Sequence, residues 1–146
     1  MEQRVNIAQS QSESWKAMYG FSTVVGKSSL SPIQKSLIMV RTSEINSCAF
    51  CINMHTKDAL KIGETQQRLF LLSAWRETTI FTDEEKAILA LTEEVTLIHQ
   101  HGVSDAVYKL AEQFFSADVI GEIIMSIVSM NAWNRIAVST HMPLGV

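Results

Sequence analysis

The chain has 146 residues, 47% of them hydrophobic and 18% charged, a length that suits one domain, spanning 1–146, built on one shared core. Twelve Lys and Arg face fifteen Asp and Glu for a formal net charge of −3, and no basic run or stripe occurs, which argues against a nucleic-acid partner. Charge is scarce beside the roughly 25% of an average soluble protein, the hydrophobic share argues against disorder, and a domain of this size folds without a structural disulfide or metal.

In chain order, the polar residues 1–14 lack the basic and apolar regions of a secretory signal, so a cytoplasmic protein is expected. Two prolines and six glycines punctuate the chain. With strand signals almost absent and no internal repeat, long helices joined by short turns are expected. Residues 12–25 read as a helix. Ser31 as N-cap and Pro32 at the first helical position open the next one, with Ile33, Leu37, Ile38 and Arg41 at helical spacing and an end near Asn46 and Ser47. Those two residues suit the cap of a further helix over 48–62, closed by Gly63, which sets both cysteines in its first turn.

Thr82 and Glu85 form a capping box, and Asp83 and Glu84 add negative charge where a helix dipole favours it. Ile88, Leu91, Val95 and Ile98 follow at helical spacing, and residues 99–102 signal a stop. Ser104 and Asp105 offer another start. The last helix, 117–139, is apolar on most of its circumference and is expected to be central or to lie at a subunit interface. Within it Glu122, Asn131, Asn134 and Arg135 are costly in lipid, so no membrane span is expected. The segments before Ser10 and after His141 are expected to fray or dock on a neighbour. The fold class is all-α, with about six helices.

Chemistry concentrates in Glu44, Cys48, Cys51 and His55, spaced Glu-x3-Cys-x2-Cys-x3-His. Gaps of three and four stack side chains on one helix face, and a break at Ser47 still groups the last three. A thiol becomes a strong nucleophile only as thiolate, which helix N-terminal amides and a nearby imidazole favour. His55 can take the Cys51 proton and return one to a leaving oxygen, and Glu44 could orient the imidazole or relay protons to it. Cys48 supplies a resolving thiol for the sulfenic acid that peroxide would form on Cys51. The bland reading of the pair is two small buried hydrophobes. A zinc or other first-row metal site is the second alternative, since all four residues are ligand types. On one unbroken helix the outer ligands would stand about 16 Å apart, too far for one ion, an objection that a break near Ser47 weakens.

Elsewhere the structural reading prevails. His99 and His101 suit a helix C-terminus, and His141 has no assigned role. Met39, Met54, Met125 and Met130 read as core filling, and Trp75 and Trp133 as core or interface rather than pocket. Glu84 and Glu85 are cap residues, and Glu93 and Glu94 read as a solvated face.

The stretch Ser43-Glu44-Ile45-Asn46-Ser47-Cys48-Ala49-Phe50-Cys51-Ile52-Asn53-Met54-His55-Thr56-Lys57-Asp58-Ala59-Leu60 resembles the AhpD-like alkylhydroperoxidases of the carboxymuconolactone decarboxylase family. Arg68-Leu69, Ala74-Trp75-Arg76-Glu77-Thr78, Phe81-Thr82-Asp83-Glu84-Glu85-Lys86-Ala87 and Asn131-Ala132-Trp133-Asn134-Arg135 extend the likeness over most of residues 15–140. The resemblance implies a helical subunit assembled into trimers or hexamers, which would explain the low surface charge. It also implies a peroxidase acting on hydrogen peroxide or organic hydroperoxides, in which Cys51 attacks, Cys48 resolves and His55 belongs to a proton relay. In the best-known AhpD pattern the relay glutamate stands twelve residues before the first cysteine, where this chain has Ser36. Histidine often precedes the second cysteine there, where this chain has Phe50. Glu44 is the substitute acid. No nicotinamide or flavin fingerprint occurs, so no cofactor is expected and a dithiol protein or carrier is the expected reductant. Two other functions fit the same residues: a redox- or metal-sensing module, and a cofactor-independent lyase related to the decarboxylases.

Overall fold

The computed structural model describes residues 2–144, and all its regular structure is helical. The elements are α1 (Ile7–Ser10), α2 (Ser12–Gly26), α3 (Pro32–Ile45), α4 (Ala49–Lys61), α5 (Gln66–Phe70), a 3-10 helix η1 (Leu72–Glu77), α6 (Asp83–Thr96), α7 (Ile98–His101), α8 (Asp105–Glu112) and α9 (Ala117–Thr140). The described chain thus holds ten helical elements, not about six. The four additional ones span only four to six residues, too short for a 3.6-residue period to show in sequence.

The ends of the long helices are fixed by local chemistry. Ser31 and Gln34 close a reciprocal capping box on α3, with Pro32 in its first turn, and Thr82 and Glu85 do the same on α6. After α4, Gly63 takes φ +98°. The N–H groups of Gly63 and Glu64 then return to Leu60 and Ala59, which satisfies carbonyls left open at the helix end. At the end of α9 His141 adopts the left-handed conformation, and Met142 bonds back to Ala137. The terminal segments pack on the chain's own body rather than fraying: the Arg4 N–H meets the Thr140 carbonyl, and Met142 packs beside the cysteines. Residues 145–146, part of the tail expected to fray, lie outside the described residues.

Helix α3 is the centre, packed on α4, α6 and α9. Leu37 and Ile38 of α3, Ile88, Leu89 and Leu91 of α6, and Ile123 and Ile127 of α9 are fully buried. Each such side chain contributes about 1.5–3 kcal/mol. Only one face of α9 joins this core; Met125, Val128 and Val138 on its outer side are exposed. No helix among the described residues is long and apolar enough to cross a membrane.

Two arginines organise the charge inside this frame. Arg68 binds Glu64 and Glu85, which ties α5 to the start of α6. Arg41 of α3 binds Glu44 and Glu93, and Glu93 also accepts from the Trp75 indole and from Arg76. Glu93 is therefore a partly buried bridge between α3, η1 and α6, not part of a solvated face. Its side chain is only 12% exposed. Glu94 is likewise engaged, accepting from the Ser104 N–H and hydroxyl at the start of α8. Sequence spacing gave no sign of either role because the partners come from other elements.

Replacing Glu93 with Ala strands Arg41 and the Trp75 N–H, and losing charge-assisted hydrogen bonds at a partly buried site costs about 1.5–3 kcal/mol. Urea unfolding of Glu93→Ala should show a lower midpoint by that margin with an unchanged slope; an effect below about 0.5 kcal/mol, typical of a surface site, would contradict the bridging role.

Candidate active site

The junction of α3 and α4 builds the site. Helix α3 ends at Ile45 with Asn46 as its cap, and Ser47 turns the chain with φ +54°. The Cys48 N–H then bonds the Ser43 carbonyl, so the first cysteine is locked beneath the end of α3. Cys48, rather than Asn46 or Ser47, caps α4: its sulfur accepts from the Cys51 N–H at 3.3 Å. This N-cap is unusual, since oxygen side chains are the common acceptors there, and it is why the helix starts one residue later than expected.

Polar side chains of α9 hold the junction. Asn46 Nδ2 donates to Oδ1 of both Asn131 and Asn134, at 3.0 Å each. Asn134, fully buried, donates to the Ser43 hydroxyl at 3.1 Å. That hydroxyl donates in turn to the Met39 carbonyl at 2.7 Å. Leaving these amides unpaired would be costly, so α9 fixes where α4 begins.

Cys48 and Cys51 are joined as a disulfide with Cα atoms 5.3 Å apart, and both are buried. Only Cys51 borders a cavity of about 380 Å³, within the range of small-molecule sites. His55, one turn further along α4, borders it too, and so does Phe50. The other walls are Met39 of α3, Met130 and Trp133 of α9, and the Trp15 and Tyr19 face of α2. Trp15, Tyr19 and Trp133 meet edge to face with centroids 5.0–5.6 Å apart. The Trp133 indole donates to Ser22 at 2.7 Å, which fastens α2 to α9 along this wall.

The structure therefore brings Cys51 and His55 together at one cavity, with Cys48 bonded beneath. It does not bring in Glu44. That carboxylate is bound by Arg41 at 2.9 Å and is not among the described residues lining the cavity. Burial raises its pKa and Glu93 adds to the rise, with Arg41 pulling the other way. Among the described residues no group of three or more His, Cys, Asp or Glu is placed to hold a metal ion. Sequence reasoning missed the cavity role of Trp133, Met39 and Met54, read as core or interface, and of Trp15 and Tyr19, which it did not single out. Met125 is exposed rather than core, whereas Met130 and Trp75 are buried as expected. His99 and His101 face solvent.

The sequence profile of the carboxymuconolactone decarboxylase family matches residues 13–94. The uncharacterized protein YdfG of Bacillus subtilis is 38% identical over 139 residues, 95% of either chain. A crystal structure of an Agrobacterium tumefaciens protein of unknown function, suggested to be the antioxidant defence protein AhpD, superposes with a TM-score of 0.96 at 35% identity, covering 99% of both chains. An uncharacterized peroxidase-related protein from Ralstonia eutropha, with an alkylhydroperoxidase AhpD core, shares the fold with a TM-score of 0.82 at 16% identity over 94% of this chain and 74% of its own.

Burial lowers the His55 pKa below its ordinary value of 6.5, with the Asp58 carboxylate opposing part of that shift. The imidazole is thus neutral, able to accept a proton, at physiological pH. In the disulfide form, NMR titration of the His55 ring should give a midpoint below 6.5. Asp58→Asn should lower it further, because the charge that favours the protonated ring is removed. A midpoint at or above 6.5 would show that burial does not govern this group.

Proposed function

The chain belongs to the carboxymuconolactone decarboxylase family, and we propose that it is a thiol peroxidase that reduces hydrogen peroxide or organic hydroperoxides through a Cys48–Cys51 dithiol/disulfide cycle. One observation carries the reading: Cys51 faces a cavity that it shares with His55, while its bonded partner Cys48 is buried outside that cavity. A substrate entering the cavity meets Cys51 first.

The steps follow from the placement. In the dithiol form neutral His55 accepts the Cys51 proton, which leaves the thiolate. The thiolate attacks the terminal peroxide oxygen, the O–O bond breaks, and the departing alkoxide takes a proton from the imidazolium. Cys51 is left as sulfenic acid. Cys48 attacks the Cys51 sulfur, the S–S bond forms, and hydroxide leaves with the Cys48 proton as water. Hydroperoxide and two thiols thus give alcohol, water and disulfide. We give Glu44 no step in this sequence; bound to Arg41 outside the cavity, it holds the end of α3.

A dithiol protein or carrier returns the two electrons, which places the cycle in a reducing compartment such as the cytoplasm. The scarcity of charge and the exposed apolar Met125, Val128 and Val138 of α9 support a homo-oligomer, for which the family resemblance implies a trimer or hexamer.

One equivalent of hydroperoxide added to the reduced protein should remove two hydrogens from its intact mass, with the loss mapping to Cys48 and Cys51 and reversed by dithiothreitol. Cys51→Ser should reduce turnover to the buffer background, and retained activity in it would refute the assignment. Cys48→Ser should stop after one turnover with the mass of one added oxygen atom on Cys51; a disulfide cycle that continued in this variant would exclude Cys48 as the resolving thiol.

A further inference from the structure

The cavity is oversized and too apolar for hydrogen peroxide alone, and one cation stands at its edge. Lys35 of α3 borders both the main cavity and a smaller groove that runs past Ser36 to His55 and Asp58. Its ammonium donates to the carbonyls of Gly26 at 2.8 Å and Ser28 at 2.9 Å, where α2 ends. An ammonium has three donors, so one is left. No ion pair among the described residues involves Lys35. Of the acidic groups facing this region, Glu122 is near enough to Lys35 for the two charges to attract but spends its hydrogen bonds on the Ser29 N–H and hydroxyl, and Asp58 pairs with Lys61. Inside, the walls are thioether and aromatic, from Met39, Met54, Met130, Trp15 and Trp133. Unbranched methionines adapt to varied apolar shapes.

We propose that the cavity takes an amphipathic carboxylic acid, its apolar body against the methionine and tryptophan walls and its carboxylate on the Lys35 ammonium. Resting on the peroxidase reading, this makes the preferred substrate a hydroperoxide of an apolar carboxylic acid, and Lys35 the residue that selects for its charge. A lysine held by two carbonyls is already oriented, so little side-chain freedom is lost when the anion arrives. The plain alternative is that Lys35 merely neutralises the negative end of α2. The two differ in what a substitution does to charged and uncharged ligands.

The experiment measures binding of decanoate and of 1-decanol, the uncharged probe of equal chain length, to the disulfide form by tryptophan fluorescence. Turnover is not needed, so the result stands apart from the peroxidase assignment. Wild type should bind decanoate about tenfold more tightly than decanol, the scale of one charge-assisted hydrogen bond. Lys35→Met should erase that preference, and Lys35→Arg should keep most of it. Equal affinity for the two probes in wild type, no binding of either, or a Lys35→Met variant that weakens both by the same factor would overturn the proposal. If decanoate binds as described and the reduced enzyme consumes no hydroperoxide, the ligand class stands and the peroxidase reading falls.

Discussion

The site depends on a buried polar clamp between α9 and the junction of α3 with α4. Asn134 sits fully inside the protein with its amide spent on Ser43 and Asn46. A buried amide has few tolerable alternatives to its native partners, because every other arrangement leaves a donor or acceptor unpaired. Apolar packing alone would let α4 slide or rotate by a fraction of a turn at small cost. The amide contacts do not, and they fix the residue at which α4 starts. Everything chemical on α4 is counted from that residue: Cys48 at the cap, Cys51 in the first turn and His55 one turn on.

The same junction explains how two cysteines only three residues apart come to have different surroundings. Ser47 reverses the chain in a left-handed conformation that an L-residue adopts at a cost, and the turn drops Cys48 under the end of α3. Three residues later the helix has carried Cys51 round to the cavity side. Burial and access are thereby separated within a span of four residues.

Much of this was legible in the sequence because local chemistry decided it. The capping residues Ser31 and Thr82, the terminating Gly63 and the three- and four-residue gaps of the Cys-Cys-His run all act over four residues or fewer, and each stands where the spacing put it. What was not legible came from partners distant in the chain. Glu93 looks like a surface residue until Arg41, Trp75 and Arg76 are brought to it from 52, 18 and 17 residues away. Trp133 looks like core until α2 is laid across it, 111 positions earlier at Ser22. The break at Ser47 was expected, but a sulfur cap was not, so α4 begins one residue later than the oxygen-bearing Asn46 and Ser47 suggested.

The departure at Ser36 bears on how the base works. Ser36 borders the same groove as His55, so the fold keeps this register position beside the imidazole even though the acid of the best-known AhpD pattern is missing there. The Ser36 hydroxyl donates to the Ile33 carbonyl at 2.8 Å and satisfies itself within α3. A carboxylate in its place would favour the protonated imidazole and raise its pKa. With serine there, desolvation is the leading influence and the pKa falls. A neutral, half-buried imidazole already has the protonation state that accepts a thiol proton, so on the proposed mechanism transfer from Cys51 to His55 would not require a third group. In this chain the acid's position is instead part of the lining of a groove that Ser36 and His55 share with Asp58 and Ile62.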